Sequence, residues 1–119
     1  MKNNMKKKIY SLFIGRWQPF HKGHKTLIDN VLSDGKNVLI ACRDTKIGED
    51  NPYSYQERVE MIRKIYPDEN KVKIIKIPDI EEVCYGRKVG WGIREIKLAE
   101  DIENISATKI RNDNLDNRQ

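Results

Sequence analysis

The 119-residue sequence predicts a single α/β domain built on a parallel β-sheet. Three observations predict it. Apolar, β-branched runs alternate with helix-periodic segments in the order β-α-β-α-β. Each helix-like segment carries its own start or stop signal, and polar loops with Gly or Pro separate the elements. Such alternation implies parallel strands joined by right-handed crossovers. The length suits one hydrophobic core and leaves no room for two. Residues 1–119 are therefore read as one domain, with 1–7 and 113–119 as flexible tails.

The elements follow in order. Residues 8–15, KIYSLFIG, mix β-branched and aromatic side chains and end at Gly15, which marks a buried strand. Residues 23–32 carry a helical stripe at Leu27, Ile28, Val31 and Leu32, with Gly35 as a stop. Residues 37–42, NVLIAC, form a second buried strand, and residues 43–54 a polar loop. Ser54 then caps a helix: Glu57 stands three residues on, as a capping box requires, and Val59, Ile62 and Ile65 follow at helical spacing. Pro67 ends it, and residues 71–78, KVKIIKIP, are the third strand. Beyond it the pattern weakens. A short strand is expected around 93–96, then a strand end, a Ser106 cap and a last short helix.

Composition bounds the function. The chain is 38% hydrophobic and 34% charged, with a mean hydropathy of -0.76, and it has no apolar run long enough to span a bilayer. The basic start leads into an apolar run that stops at Arg16 without a small-residue cleavage site, so it is read as the first strand rather than a secretory signal. Cys42 and Cys84 lack metal-ligand or redox spacing and are read as reduced, partly buried thiols of a cytoplasmic protein. A net charge of +5 favours anionic partners, although Lys6, Lys7 and Lys8 supply much of it. No groove-reading helix and no series of stacking aromatics points to nucleic acid.

The chemistry concentrates in residues 15–24, GRWQPFHKGH, which leave the first strand and enter the first helix. In a parallel α/β sheet this is where ligands bind, and a helix N-terminus offers free N–H groups to a phosphate. His21 and His24, the chain's two histidines, stand at i and i+3 on one side of that first turn. Gly23 lets a ligand approach the backbone, Pro19 sets the direction of the chain, and Arg16 adds a permanent cation. Two readings stand side by side: the imidazoles hold a polyphosphate, or they merely cap the helix and satisfy buried carbonyls. Zinc fits poorly, because it needs three or four ligands and no cysteine pair is near.

GRWQPFHKGH resembles the first signature of the HxGH nucleotidyltransferases, and among them the archaeal-type nicotinamide mononucleotide adenylyltransferases. Residues 105–111, ISATKIR, resemble the second signature, ISxTxxR. The two signatures stand in the family's order with a β-α-β-α-β pattern between them, and the resemblance runs from 9 to 111. It implies a Rossmann-like parallel sheet sandwiched by helices. It also implies transfer of a nucleoside monophosphate, AMP from ATP in this form of the motif, onto a phosphorylated small molecule with release of pyrophosphate. Carried over residue by residue, His21, His24 and Arg111 are the catalytic set. Gly15, Arg16, Trp17, Phe20, Gly23, Ser106, Thr108 and Arg111 are the nucleotide contacts. Mg²⁺ is held through the nucleotide phosphates and water, with no side-chain ligand. Arg58 and Arg87 are expected at the acceptor. Trp17, Tyr85 and Trp91 either stack on a base or pack in the core. The 79–104 segment is short against the strand–helix unit found there in better-known members. The acceptor therefore stays open, and a homodimer that completes the site is an expectation. Cytidylyl transfer from CTP to a phosphorylated alcohol or phosphonate, and a non-catalytic nucleotide-binding module, are the alternatives.

Overall fold

The structure, a computed structural model, describes residues 7–87, 90–98 and 110. Three strands and two helices form in the predicted order: β1 (Tyr10–Gly15), α1 (Lys22–Leu32), β2 (Asn37–Asp44), α2 (Tyr55–Ile65) and β3 (Val72–Pro78). The sheet is parallel, with strand order β1-β2-β3. Alternation decides which side of β2 is buried: Val38, Ile40 and Cys42 are fully enclosed. Ile40 lies in register between Phe13 of β1 and Ile74 of β3, so the centre of the sheet is a three-residue apolar ladder.

Both helices pack over this same face. Ile28 and Val31 of α1 and Ile62 of α2 join Val38, Ile40, Cys42 and Val72 in one cluster. That follows from the strand order, because two successive right-handed crossovers running the same way along a sheet place their helices on one side. In α1 Ile28, Val31 and Leu32 pack on the core as expected while Leu27 is half-buried outside that cluster, and Gly35 (φ +78°) takes the left-handed turn that ends this helix, its N–H donating to the Leu32 carbonyl. The α2 stripe differs. Ile62 is buried, but Ile65 is 39% exposed, and the inward face is made by Tyr55, Arg58, Ile62 and, just past the helix, Tyr66. An arginine occupies the position where the periodicity alone would put an apolar residue.

After β3 the described chain has no further strand. The strand expected around 93–96 is not formed. Its residues turn instead to side-chain contacts: Arg94 pairs with Asp34 at 2.9 Å, and Ile96 packs against the core. Cys42 is buried as expected, whereas Cys84 is exposed, because the irregular segment that carries it lies outside the core. Of the expected final helix only Ile110 is described, in helical conformation; Ser106 and the tails lie outside the described residues, save Lys7. No helix among the described residues is long and apolar enough to cross a membrane.

Candidate functional site

The loop from β1 to α1 occupies the carboxyl end of the sheet. Gly15 is the last residue of β1, and a Cβ there would meet the Trp17 ring at 2.9 Å, so only glycine fits. Trp17 adopts φ +53°, a left-handed conformation unusual for so large a residue. Its indole compensates by lying buried and donating from Nε1 to the Ala41 carbonyl at 3.2 Å. The Gln18–Pro19 peptide is cis. The buried Gln18 amide mimics a peptide group: Nε2 donates to the Tyr53 carbonyl and Oε1 accepts the Tyr53 N–H, both at 2.9 Å. The chain then enters α1 through His21.

The two histidines form a reciprocal cap. His21 is the N-cap residue in an extended conformation, and its Nδ1 accepts the Gly23 N–H at 3.1 Å. His24, at the third helical position, returns the bond: its Nδ1 accepts the His21 N–H at 3.2 Å. This is the capping-box geometry with imidazole replacing both Ser and Glu. The rings stack, 3.7 Å between centroids and 22° apart. An Nδ1 that accepts an N–H carries no proton, so each neutral ring keeps its proton on Nε2, as a free-standing donor. Burial, and then the neighbouring His21, bring the His24 pKa down to about 3; burial lowers that of His21 as well. Both rings are therefore neutral donors at physiological pH. Of the two alternatives left open by the sequence, the structure shows the cap, which uses one nitrogen of each ring and leaves the other out of it.

Trp17 and Phe20 support this pair from beneath. Both are core residues. Trp17 meets His24 edge-on at 4.7 Å, and Phe20 is tilted against it at 5.4 Å. Arg16 is half-buried and donates to the Asn51 side chain at 3.3 Å, which draws the 45–54 loop toward the cradle. Arg43 pairs with Asp79 at 2.7 Å and joins the ends of β2 and β3. That bond holds the Asp79 carboxyl below its usual range.

Arg58, expected at the acceptor phosphate, is placed differently. Its side chain is 1% exposed, and its donors go to backbone carbonyls: Nε to Ser54 at 3.2 Å, and Nη1 to Arg16 at 3.0 Å and Arg43 at 2.8 Å. These three bonds tie the guanidinium to the protein's own backbone. Arg87, Tyr85 and Trp91 are exposed, and the two rings touch edge to face at 5.9 Å rather than packing in the core. Ser106, Thr108 and Arg111 lie outside the described residues. Sequence reasoning missed Gln18 and Asn51, whose signal is only a polar side chain inside an otherwise apolar or turn-forming stretch. Among the described residues no three His, Cys, Asp or Glu side chains come together as a metal site would require.

A family model described as cytidylyltransferase-like matches residues 12–82, the segment from β1 through β3 that carries this cradle. The chain belongs to that family. The matched segment includes the His21–His24 cap and ends before ISATKIR. Among curated relatives, the nicotinamide-nucleotide adenylyltransferase of Methanococcus aeolicus is 36% identical over 74 residues, which is 60% of this chain and 43% of that protein. The enzyme of the same name from Ignicoccus hospitalis is 38% identical over 76 residues, 59% of this chain and 44% of that protein. The chain thus spans less than half the length of these relatives. Among solved structures, a bifunctional NMN adenylyltransferase/ADP ribose pyrophosphatase from Francisella tularensis, complexed with AMP and a manganese ion, superposes with a TM-score of 0.55 at 34% identity. It covers 61% of this chain and 23% of that one. The family's Rossmann-like parallel sheet is the fold of this chain.

Proposed function

We propose that this chain is a nucleotidyltransferase that moves AMP from ATP to a phosphorylated small molecule. The observation that carries the reading is the histidine cap: two neutral imidazoles, each with Nε2–H uncommitted to the cap, at a helix N-terminus beside Arg16. That donor set suits phosphate oxygens. It holds no carboxylate, so it suits a divalent cation only through the nucleotide's own phosphates. Mg²⁺ fits in that way, and supplies charge neutralisation on the triphosphate when bound. The relatives' names support ATP over CTP as donor.

In this reading an oxygen of the acceptor phosphate attacks the α-phosphorus of ATP. The new O–P bond forms as the bond from the α-phosphorus to the bridging β-oxygen breaks, and pyrophosphate leaves. His24 donates to the α-phosphate, where charge develops, and His21 and Arg16 hold the neighbouring oxygens. Ser106, Thr108 and Arg111 take the β- and γ-phosphates, and Arg87 faces the acceptor. No proton need leave an imidazole, so catalysis is positioning and charge stabilisation.

The test is pyrophosphate release from ATP, and in parallel from CTP, with Mg²⁺ and a panel of phosphorylated acceptors that includes nicotinamide mononucleotide. Release with ATP and one acceptor, lost in His24→Ala, establishes the activity. Binding of ATP with no release for any acceptor would instead favour a nucleotide-binding module.

A further inference from the structure

We propose that Arg58 is a positioning residue of the phosphate-binding turn, holding the loop after β1, the end of β2 and the head of α2 in the one arrangement that presents Arg16 and the His21–His24 cap to an anion. The inference rests on the nucleotidyltransferase reading of that cap.

Three observations carry it. The first is where the bonds go. The Arg58 acceptors are carbonyls of three separate segments: Ser54 is the N-cap of α2, Arg43 lies near the end of β2, and Arg16 belongs to the cradle itself. A planar guanidinium is the side chain whose fork can serve several acceptors in one plane. Through the Arg16 carbonyl it fixes the backbone of the residue whose own side chain is the cradle's cation.

The second is the cost of the placement. Arg58 is buried, and none of the ion pairs among the described residues involves it. A buried charge without a counter-ion is far more expensive than an apolar side chain of equal size, which would fill the α2 stripe just as well. Carbonyl dipoles offset part of this, and the charge is felt nearby: it favours ionisation of the Cys42 thiol and the Tyr55 phenol against the burial that raises both. A polyanion bound at the cradle would be a further compensating charge, which gives the arginine a use that stability alone does not supply.

The third is the company it keeps. The same loop is tied at successive residues: Arg16 to Asn51, Trp17 to Ala41 and Gln18 to Tyr53. Arg58 is the only one of these fasteners, among the described residues, that grips the loop, β2 and α2 together.

The experiment compares Arg58→Met and Arg58→Lys with the native chain. Affinity for Mg·ATP is measured by calorimetry well below each variant's melting temperature. The side-chain ¹⁵N signals of His21 and His24 are recorded without ligand. Arg58→Met is expected to bind at least tenfold more weakly and to lose the paired Nε2–H tautomer signature while its far-UV spectrum stays native. Arg58→Lys, which keeps the charge but not the fork, is expected to fall between the two. Native affinity and native histidine signals in a folded Arg58→Met overturn the proposal. Should Arg58→Met fail to fold, Arg58→Lys decides, and native affinity with native signals in that variant overturns it equally. If the native chain binds neither ATP nor CTP, the nucleotidyltransferase reading fails, and the ligand-free histidine signals still report whether Arg58 sets the turn.

Discussion

At the scale of single residues the first helix starts on two imidazoles that cap each other's turn. Each spends Nδ1 on a backbone N–H and keeps Nε2–H, so a solution measurement should find both rings as the Nε2–H tautomer at pH 8, and the His24 ring still so at pH 5. With only two histidines in the chain, long-range ¹H–¹⁵N correlation reads this directly. Proton linkage gives the sign of the pH effect. The unfolded histidines take up protons near pH 6.5, whereas the folded His24 does not until about pH 3. The His24 contribution to stability is therefore complete above pH 6.5 and is lost progressively as pH falls toward 3, and the lowered His21 pKa acts with the same sign. His24→Gln separates cap from charge: glutamine at this position can still accept the His21 N–H but does not titrate. We expect it to melt close to the native chain at pH 8, to lose less stability between pH 7 and pH 5, and to bind Mg·ATP more weakly. Gly15→Ala acts through shape instead. Its methyl would overlap the enclosed Trp17 ring, and overpacking of this kind costs about 1–3 kcal/mol; urea unfolding would show it, with nucleotide affinity falling as the turn shifts.

At the scale of elements, each helix start is set by a local side-chain bond, and the two starts differ in purpose. α2 begins with the Ser54–Glu57 box, in which the Glu57 N–H donates to Ser54 Oγ and the Ser54 N–H to Glu57 Oε1, both at 3.1 Å. Ser54→Ala should cost about 1 kcal/mol, seen as a lower urea midpoint with an unchanged slope. It should leave Mg·ATP affinity nearly native, because the Ser54 carbonyl that Arg58 uses is backbone. α1 begins with the same geometry made from histidines, so a change at His21 or His24 alters the helix start and, in the proposed reading, phosphate binding together.

At the scale of the whole molecule, the three parallel strands and the two helices on one face make a core centred on Ile40. Ile40→Ala removes the middle of the Phe13–Ile40–Ile74 ladder and should cost about 2–5 kcal/mol. Calorimetric melting would register it as a large drop, and bound Mg·ATP should partly restore the melting temperature, since a ligand confined to the folded state stabilises it by mass action. The same core carries the site: its top end holds Trp17 and Phe20 under His24, so loosening the core loosens the cradle.

The sequence by itself determined the element order, the parallel sheet and both helix starts. These rest on short-range signals: alternation along a strand, periodicity along a helix, and side chains three residues apart, as in Ser54–Glu57 and His21–His24. Tertiary structure alone decided which way Arg58 works. Its acceptors lie 4, 15 and 42 residues away and are backbone carbonyls, which every residue has and which therefore leave no mark in the sequence. The grip of Gln18 on Tyr53, 35 residues off, was hidden for the same reason. Tertiary structure also decided that Ile65 faces outward and that residues 93–96 form side-chain contacts instead of a strand, because burial depends on what the fold brings alongside.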